Sequence, residues 1–261
     1  MSQTTEQKAE AFRLLHSGEP FVIPNPWDAG SARVLAALGF RALATTSSGF
    51  AFTLGELDGS ATLDEVVDHV AALAQATELP VSVDLEDGHG DDPGLAIARV
   101  AEAGAVGASI EDWDGERLYS QDEALERMVA AVTAARAIRF PFTLTARAEN
   151  YIRGNPDLED TIVRLLAFEA AGADVLYAPG LSNLEDIRVL CGAVARPVNV
   201  LARPELTFAA LVEAGAQRIS VGGALAWSAV NALVEAATAI RDEGNFSLLG
   251  SSPPGDWLRS T

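Results

Sequence analysis

Acidic side chains fall in tight groups along the middle of the chain: Asp84, Glu86 and Asp87, then Glu111, Asp112 and Asp114, then Arg147 with Glu149. Each group directly follows a short apolar run. If those runs lie side by side the carboxylates face one another, and facing carboxylates repel unless a cation neutralises them. Such residues either hold a divalent metal or sit singly solvated on a rim. Oxygen donors without His or Cys select a hard ion, Mg²⁺ or Mn²⁺, over zinc, and Asp84, Glu86 and Glu111 are the candidate ligands, directly or through water. Arg147 is expected to point into the same mouth, where its planar fork suits a substrate carboxylate; the plainer alternative is an ion pair with Glu149. A metal beside an arginine implies a small anionic substrate.

Other segments add candidates. In TTSSGFAFTLGELDG, residues 45–59, the turn Ser47, Ser48 and Gly49, followed by Phe50, either presents hydroxyl and N–H groups to a carboxylate or is a plain Ser/Gly loop. Ser48 lacks the G-x-S-x-G setting and the placed His of an acyl-enzyme nucleophile. Asp58 ends this connection and either stays on the rim or folds back over the mouth. GHGDDPG, residues 88–94, is not spaced as G-x-G-x-x-G, and Asp87, Asp91 and Asp92 would repel a pyrophosphate, so no dinucleotide site is expected. His89 there is either a proton shuttle or hydrogen-bonded structure. Trp27, Asp28 and Asn199 are placed equally well for ligand contact and for packing.

The elements that must position these residues are legible as a rhythm. Eight apolar runs read as strands: Phe21–Pro24, Ala42–Thr45, Val81–Leu85, Ala108–Glu111, Phe142–Arg147, Asp174–Ala178, Val198–Leu201 and Arg218–Val221. Most are continuous, as for parallel strands buried on both faces. Helical stretches alternate with them: Ser31–Leu38, Leu63–Ala76, Leu95–Ala103, Ala124–Ile138, Leu158–Ala171, Leu184–Val194, Leu206–Ala214 and Ala224–Ile240. Gly39, Gly104, Gly172 and Gly215 sit where helices end. Eight alternations predict one α/β domain over residues 1–261, a closed (β/α)8 barrel whose site lies at the C-terminal ends of the strands. An extra helix over Glu6–Leu15 is expected before the barrel, and the tail SSPPGDWLRST offers Trp257 to a neighbouring subunit.

Composition narrows the class. Of 261 residues, 49% are hydrophobic, enough for a large core. Against 18 basic residues stand 37 acidic ones, a net charge of −19 that repels phosphate backbones and anionic membrane surfaces, so neither nucleic acid nor membrane is expected as a partner. One cysteine, Cys191, allows no intrachain disulfide, and no apolar stretch or leader pattern marks a span or signal. A cytoplasmic protein with its function in a pocket is expected.

Taken in order, NPWDAGSARVLAALGF, SSGFAFTLGELDG, VSVDLEDGHG, GASIED, LTARAENY and PVNVLA resemble the isocitrate lyase/phosphoenolpyruvate mutase superfamily from about Pro24 to Gly223. The resemblance implies a (β/α)8 TIM barrel with the last helix swapped between subunits of a dimer or tetramer. It also implies Mg²⁺ holding a 2-oxo or 2-hydroxy carboxylate and stabilising an enolate of pyruvate type. By position Asp84, Glu86 and Glu111 match the metal side, and Ser48 and Gly49 the carboxylate-holding turn. Asp58 matches an aspartate near the reacting group and Arg147 the substrate-binding arginine. The segment after the fourth strand, EDWDGERLYSQDEA, has neither the Lys-Lys-Cys-Gly-His of isocitrate and methylisocitrate lyases nor the Lys and Asn of phosphonate enzymes. It offers Arg117, Tyr119, Ser120 and Gln121 instead, with Tyr119 or Asp58 to move a proton. The expected activity is a Mg²⁺-dependent carbon–carbon lyase or decarboxylase. The alternatives are a phosphonomutase-type reaction and a barrel that binds keto acids without turnover.

Overall fold

The computed structural model describes residues 3–90 and 92–250. Asp91 and the tail carrying Trp257 lie outside the described residues. Eight parallel strands form one sheet: β1 (Phe21–Ile23), β2 (Leu43–Ala44), β3 (Val81–Asp84), β4 (Gly107–Glu111), β5 (Thr143–Arg147), β6 (Val175–Tyr177), β7 (Val198–Leu201) and β8 (Arg218–Ser220). They run in the order β1-β8-β7-β6-β5-β4-β3-β2. Across the β1–β2 seam the Ala44 N–H donates to the Pro24 carbonyl at 3.1 Å, so the sheet curls into the expected (β/α)8 TIM barrel.

Most of the helices that follow the strands open on a side-chain cap. The helices α1 (Thr5–Leu15), α2 (Ala29–Ala37), α3 (Ser47–Leu54), α4 (Leu63–Ala76), α5 (Pro93–Glu102), α6 (Gln121–Ala137), α7 (Leu158–Ala171), α8 (Leu184–Ala193), α9 (Phe208–Glu213) and α10 (Ala224–Glu243) include every helix expected from the sequence. Asp28 with Ser31, Thr62 with Glu65, and Ser120 with Glu123 form capping boxes that start α2, α4 and α6. Asp28 is thereby committed to a helix start, and Trp27 packs its Cβ beside Gly49. Gly39, Gly104, Gly172 and Gly215 all adopt φ near 90–110° after their helices, the left-handed geometry that glycine allows at low cost.

One helix departs from expectation. The Ser-Gly segment read as a loop is α3, opened by Thr46, whose hydroxyl accepts from the Gly49 N–H. Its apolar content is too short to show a helical period, so the cap residue is the surviving signal.

The barrel floor is closed by α1. Phe12 is fully buried, and its ring edge reaches Gly107 at the start of β4. A Cβ on Gly107 would lie 2.6 Å from the Thr143 carbonyl and 2.9 Å from that ring. At the other end of the chain, α10 runs 20 residues yet buries only Ala226, leaving Leu233 63% and Val234 56% exposed. Among the described residues no helix is long and apolar enough to cross a membrane. Replacing Gly107 by Val should lower unfolding stability by about 1–3 kcal/mol through overpacking, read as a reduced denaturation midpoint with an unchanged slope.

Candidate active site

Arg147 ends β5 and carries the site. Its Nη1 donates to Asp84 Oδ1 at 2.6 Å, Nη2 lies 3.0 Å from Glu111 Oε2, and Nε donates to Glu149 Oε1 at 2.9 Å. The strand register explains the convergence: Glu111 on β4 pairs with Arg147 on β5, and Arg147 with Tyr177 on β6, so all three side chains turn into the lumen together. The guanidinium also lies 5.5 Å from the centre of the Tyr177 ring. Both alternatives for Arg147 therefore hold at once, since it faces the mouth and pairs with Glu149.

The charges are unevenly matched. Burial would raise Asp84, but the Arg147 cation and its hydrogen bond outweigh that and hold the carboxyl below its ordinary value. Glu111 goes the other way, pushed well up by burial and by the Glu149 and Asp84 carboxylates. Glu86 is pushed up to about 7, first by burial and then by Asp84 and Asp58. Its backbone sits at φ 49°, left-handed for a non-glycine residue, while its carbonyl accepts the Glu111 N–H at 2.8 Å. This turn throws the Glu86 side chain outward, beside the loop that carries Asp58 and Gly59.

Two chambers meet at Ser47, Asp58, Arg147 and Ile152. The outer one, about 430 Å³, is lined by Glu86, Asp87, Glu111, Asp114 and two cations, Arg147 and Arg153. The inner one, about 250 Å³, mixes hydroxyl and amide groups with aliphatic side chains, with Asp84 as its only deep acid among the described residues and Arg147 and Arg218 as its cations. Asp84 thus opens inward while Glu86 and Glu111 open outward.

Among the described residues no three His, Cys, Asp or Glu side chains form a ready-made metal cage. The donor set still fits Mg²⁺, which takes one or two carboxylates and keeps water or substrate oxygens for the rest. Glu86, raised first by burial and then by the Asp84 and Asp58 carboxylates, faces this space. Asp84, Glu86 and Glu111 would hold such an ion, Asp84 and Glu111 while also paired with Arg147.

The remaining candidates divide. Ser48 lines the inner chamber at the start of α3, where first-turn N–H groups face outward along the helix axis. Gly49 is buried, because a Cβ there would lie 2.7 Å from Thr46 Cγ2 and 3.0 Å from Trp27; it permits close packing and lines neither chamber. Phe50 likewise points away, stacked on His69 with ring centres 4.0 Å apart. Asn199 lines the inner chamber, but its Oδ1 accepts from Arg218 and its Nδ2 donates to Ser220. Tyr119 is turned from the mouth: its OH donates to Asp87 Oδ2 at 2.9 Å, and burial with that bond pushes it up to about 12. The other replacements in that segment are equally engaged, Arg117 with Glu123, Ser120 as a cap and Gln121 with Asp160. His89 turns Nδ1 to the Ala61 carbonyl.

Sequence reasoning missed Arg153, Trp113 and Arg218. Arg153 Nη2 lies 3.4 Å from Glu149 and 3.7 Å from Glu111, and its guanidinium covers the Trp113 ring at 4.7 Å. Nothing in the local sequence marks these residues, which reach the site only through loop geometry and barrel closure.

A parallel barrel with acidic strand ends around an arginine is the architecture of the isocitrate lyase/phosphoenolpyruvate mutase superfamily, which comprises lyases and mutases. The chain belongs to its phosphoenolpyruvate phosphomutase family, whose model matches residues 12–241. A candidate lyase/mutase of Burkholderia cenocepacia J2315 is 50% identical, with a TM-score of 0.94 over 98% of this chain and 95% of that one. An oxaloacetate decarboxylase of Rhodopseudomonas palustris (strain BisB5) is 32% identical over 89% of this chain and 84% of its own length. The structure of oxaloacetate acetylhydrolase in complex with the product oxalate is 28% identical, with a TM-score of 0.84 over 92% and 89% of the two chains.

Removing one partner from a buried ionic cluster costs more than the pair contributes, because the remaining charges stay desolvated. Arg147→Met should therefore lower unfolding free energy by about 3–5 kcal/mol at neutral pH, measured by denaturant titration, with the loss shrinking as acid neutralises the carboxylates left behind.

Proposed function

We propose that this protein is a Mg²⁺- or Mn²⁺-dependent lyase that cleaves a carbon–carbon bond, or decarboxylates, next to the 2-oxo or 2-hydroxy carboxylate of a small anionic acid. The observation that carries the proposal is the mouth itself, where Arg147 faces Asp84 and Glu111 beside the raised Glu86 at the junction of two chambers. The decarboxylase and acetylhydrolase relatives, both named for oxaloacetate, support a four-carbon 2-oxo diacid as the first substrate type to try.

When bound, the divalent ion supplies Lewis-acid polarisation of the substrate carbonyl. The protein's own groups do the rest. Ser48 and the first-turn N–H groups of α3 orient the carboxylate next to the reacting bond, adding the field of a helix N-terminus. Arg147, fixed by three carboxylates, holds a second oxygen without needing to reorganise. Asp58 is exposed above both chambers and moves the proton, since Tyr119 is occupied with Asp87. Trp113 and Arg153 cover the outer chamber and limit water there.

We further propose that α10 packs against a second copy of the chain, giving a dimer or tetramer. Leu225, Trp227, Leu233 and Val234 are too exposed for a lone helix of a soluble domain, and Trp227 already meets Phe52 edge to face at 5.6 Å.

Calorimetric titration with oxalate, a planar mimic of the pyruvate enolate, tests the first proposal. Binding should require Mg²⁺, vanish with EDTA and fall at least about tenfold in Asp84→Ala, a loss in keeping with removing a ligand's charged partner. Metal-independent binding, or none, would overturn it. For assembly, light scattering should give a multiple of the chain mass that drops to one chain in Leu233→Glu/Val234→Glu.

A further inference from the structure

The inner chamber ends, toward the N-terminal ends of the strands, on a guanidinium that no carboxylate among the described residues accompanies. Arg218 opens β8 and is only 6% exposed. Its Nε donates to Asn199 Oδ1 at 2.8 Å and its Nη2 to Thr145 Oγ1 at 3.0 Å. Its Nη1 lies 3.2 Å from His16 Nε2. His16 Nδ1 lies 2.9 Å from the Phe12 carbonyl, so the ring proton belongs on Nδ1 and Nε2 accepts from the arginine. Burial and the Arg218 charge push His16 down to about 3, which keeps it neutral. All three partners are therefore uncharged. A guanidinium has five N–H groups, and here one on each terminal nitrogen is left over.

The other interior arginines are treated differently. Arg147 meets three carboxylates, and Arg164 meets Asp112 and Asp160. Buried charge is costly unless paired, so an arginine that lines a chamber with neutral partners alone is a cation lacking its anion. The chamber it lines also contains Ser48, Asp84 and Arg147, the groups assigned above to the reacting end of the substrate. Thr145, which Arg218 touches, stands two residues before Arg147 on β5, so the two cations lie at levels about 7 Å apart along the strand. At about 250 Å³ the chamber is small for a ligand site, which restricts it to a short acid.

We propose that Arg218 is the anchor for a second carboxylate of the substrate, which enters the inner chamber carboxylate-first and makes the protein selective for short diacids over monoacids. This rests on the lyase reading of the mouth and deepens it. Asn199, clamped between Arg218 and Ser220, is then a positioning residue that fixes the plane of the guanidinium. A two-carbon dianion held at the mouth is too short to reach the anchor, whereas a four-carbon diacid spans the gap.

Calorimetry on the full chain with Mg²⁺ separates the two ends, using oxalate as the short probe and 3,3-difluorooxaloacetate as the long one. Wild-type protein should bind both. Arg218→Met, an apolar side chain of similar length, should weaken difluorooxaloacetate at least about tenfold, the scale of one lost charge-assisted pair, and leave oxalate within about twofold. Arg218→Lys, which keeps the charge without the fork, should fall between them, and it decides the question if the Met variant does not fold. Equal weakening of both probes, or no change in either, would show a purely structural arginine and overturn the inference. Wild-type protein that binds oxalate but not difluorooxaloacetate would overturn this inference alone, whereas failure to bind oxalate would remove the lyase reading beneath it.

Discussion

A buried arginine held by three carboxylates is the constraint around which this barrel is arranged. Arg147 is fixed by Asp84 from β3, Glu111 from β4 and Glu149 from its own strand end, so three elements must keep their register for the charges to balance. The balance is incomplete: burial first, and then the neighbouring carboxylates, keep Glu111 and Glu86 raised despite the arginine. A site left short of positive charge in a low-dielectric pocket attracts a divalent ion more strongly than a solvated acidic rim would.

The segment after β4 answers to that cluster. Asp112 accepts the Glu149 N–H at 2.7 Å and the Arg164 guanidinium at 3.0 Å, while its carbonyl receives the Tyr119 N–H. The segment folds back on itself with Trp113 opposite Leu118, and Tyr119 closes onto Asp87. Its polar side chains are consumed in holding this shape. What it presents to the outer chamber is the Trp113 ring, the Gly115 turn and Asp114, and the cation against that ring comes from the loop after β5. A segment tied down at both ends shapes access to the mouth.

Below the mouth the interior changes character. Along one lateral row the register links Glu111, Arg147, Tyr177, Asn199 and Arg218, each on the next strand, so the strand tilt carries a line of polar side chains from the acidic rim down to α1. Barrels of this kind usually fill the lumen with branched apolar side chains. Here hydroxyl, amide and guanidinium groups enter that layer, so a chamber holding Arg218 lies beneath the acidic one.

The sequence by itself determined the barrel, the eight strand positions, the helix-ending glycines and the acidic strand ends with Arg147. These follow from local chemistry: continuous apolar runs, caps, and carboxylates placed just past each run. It also put Ser48 and Asp84 near the mouth, because position at a strand end fixes a residue there, and left Asp58, far along its connection, open between rim and mouth. Tertiary structure alone decided which way side chains turned. Tyr119, Phe50 and Gly49 sit beside the site in sequence yet serve packing or a hydrogen bond elsewhere. Arg218 and Arg153 lie far from the acidic clusters along the chain and meet them only when the barrel closes. A strand's period says which face a residue occupies, but its partners depend on the stagger between strands and on loop paths, and those are set by contacts between residues distant in the chain.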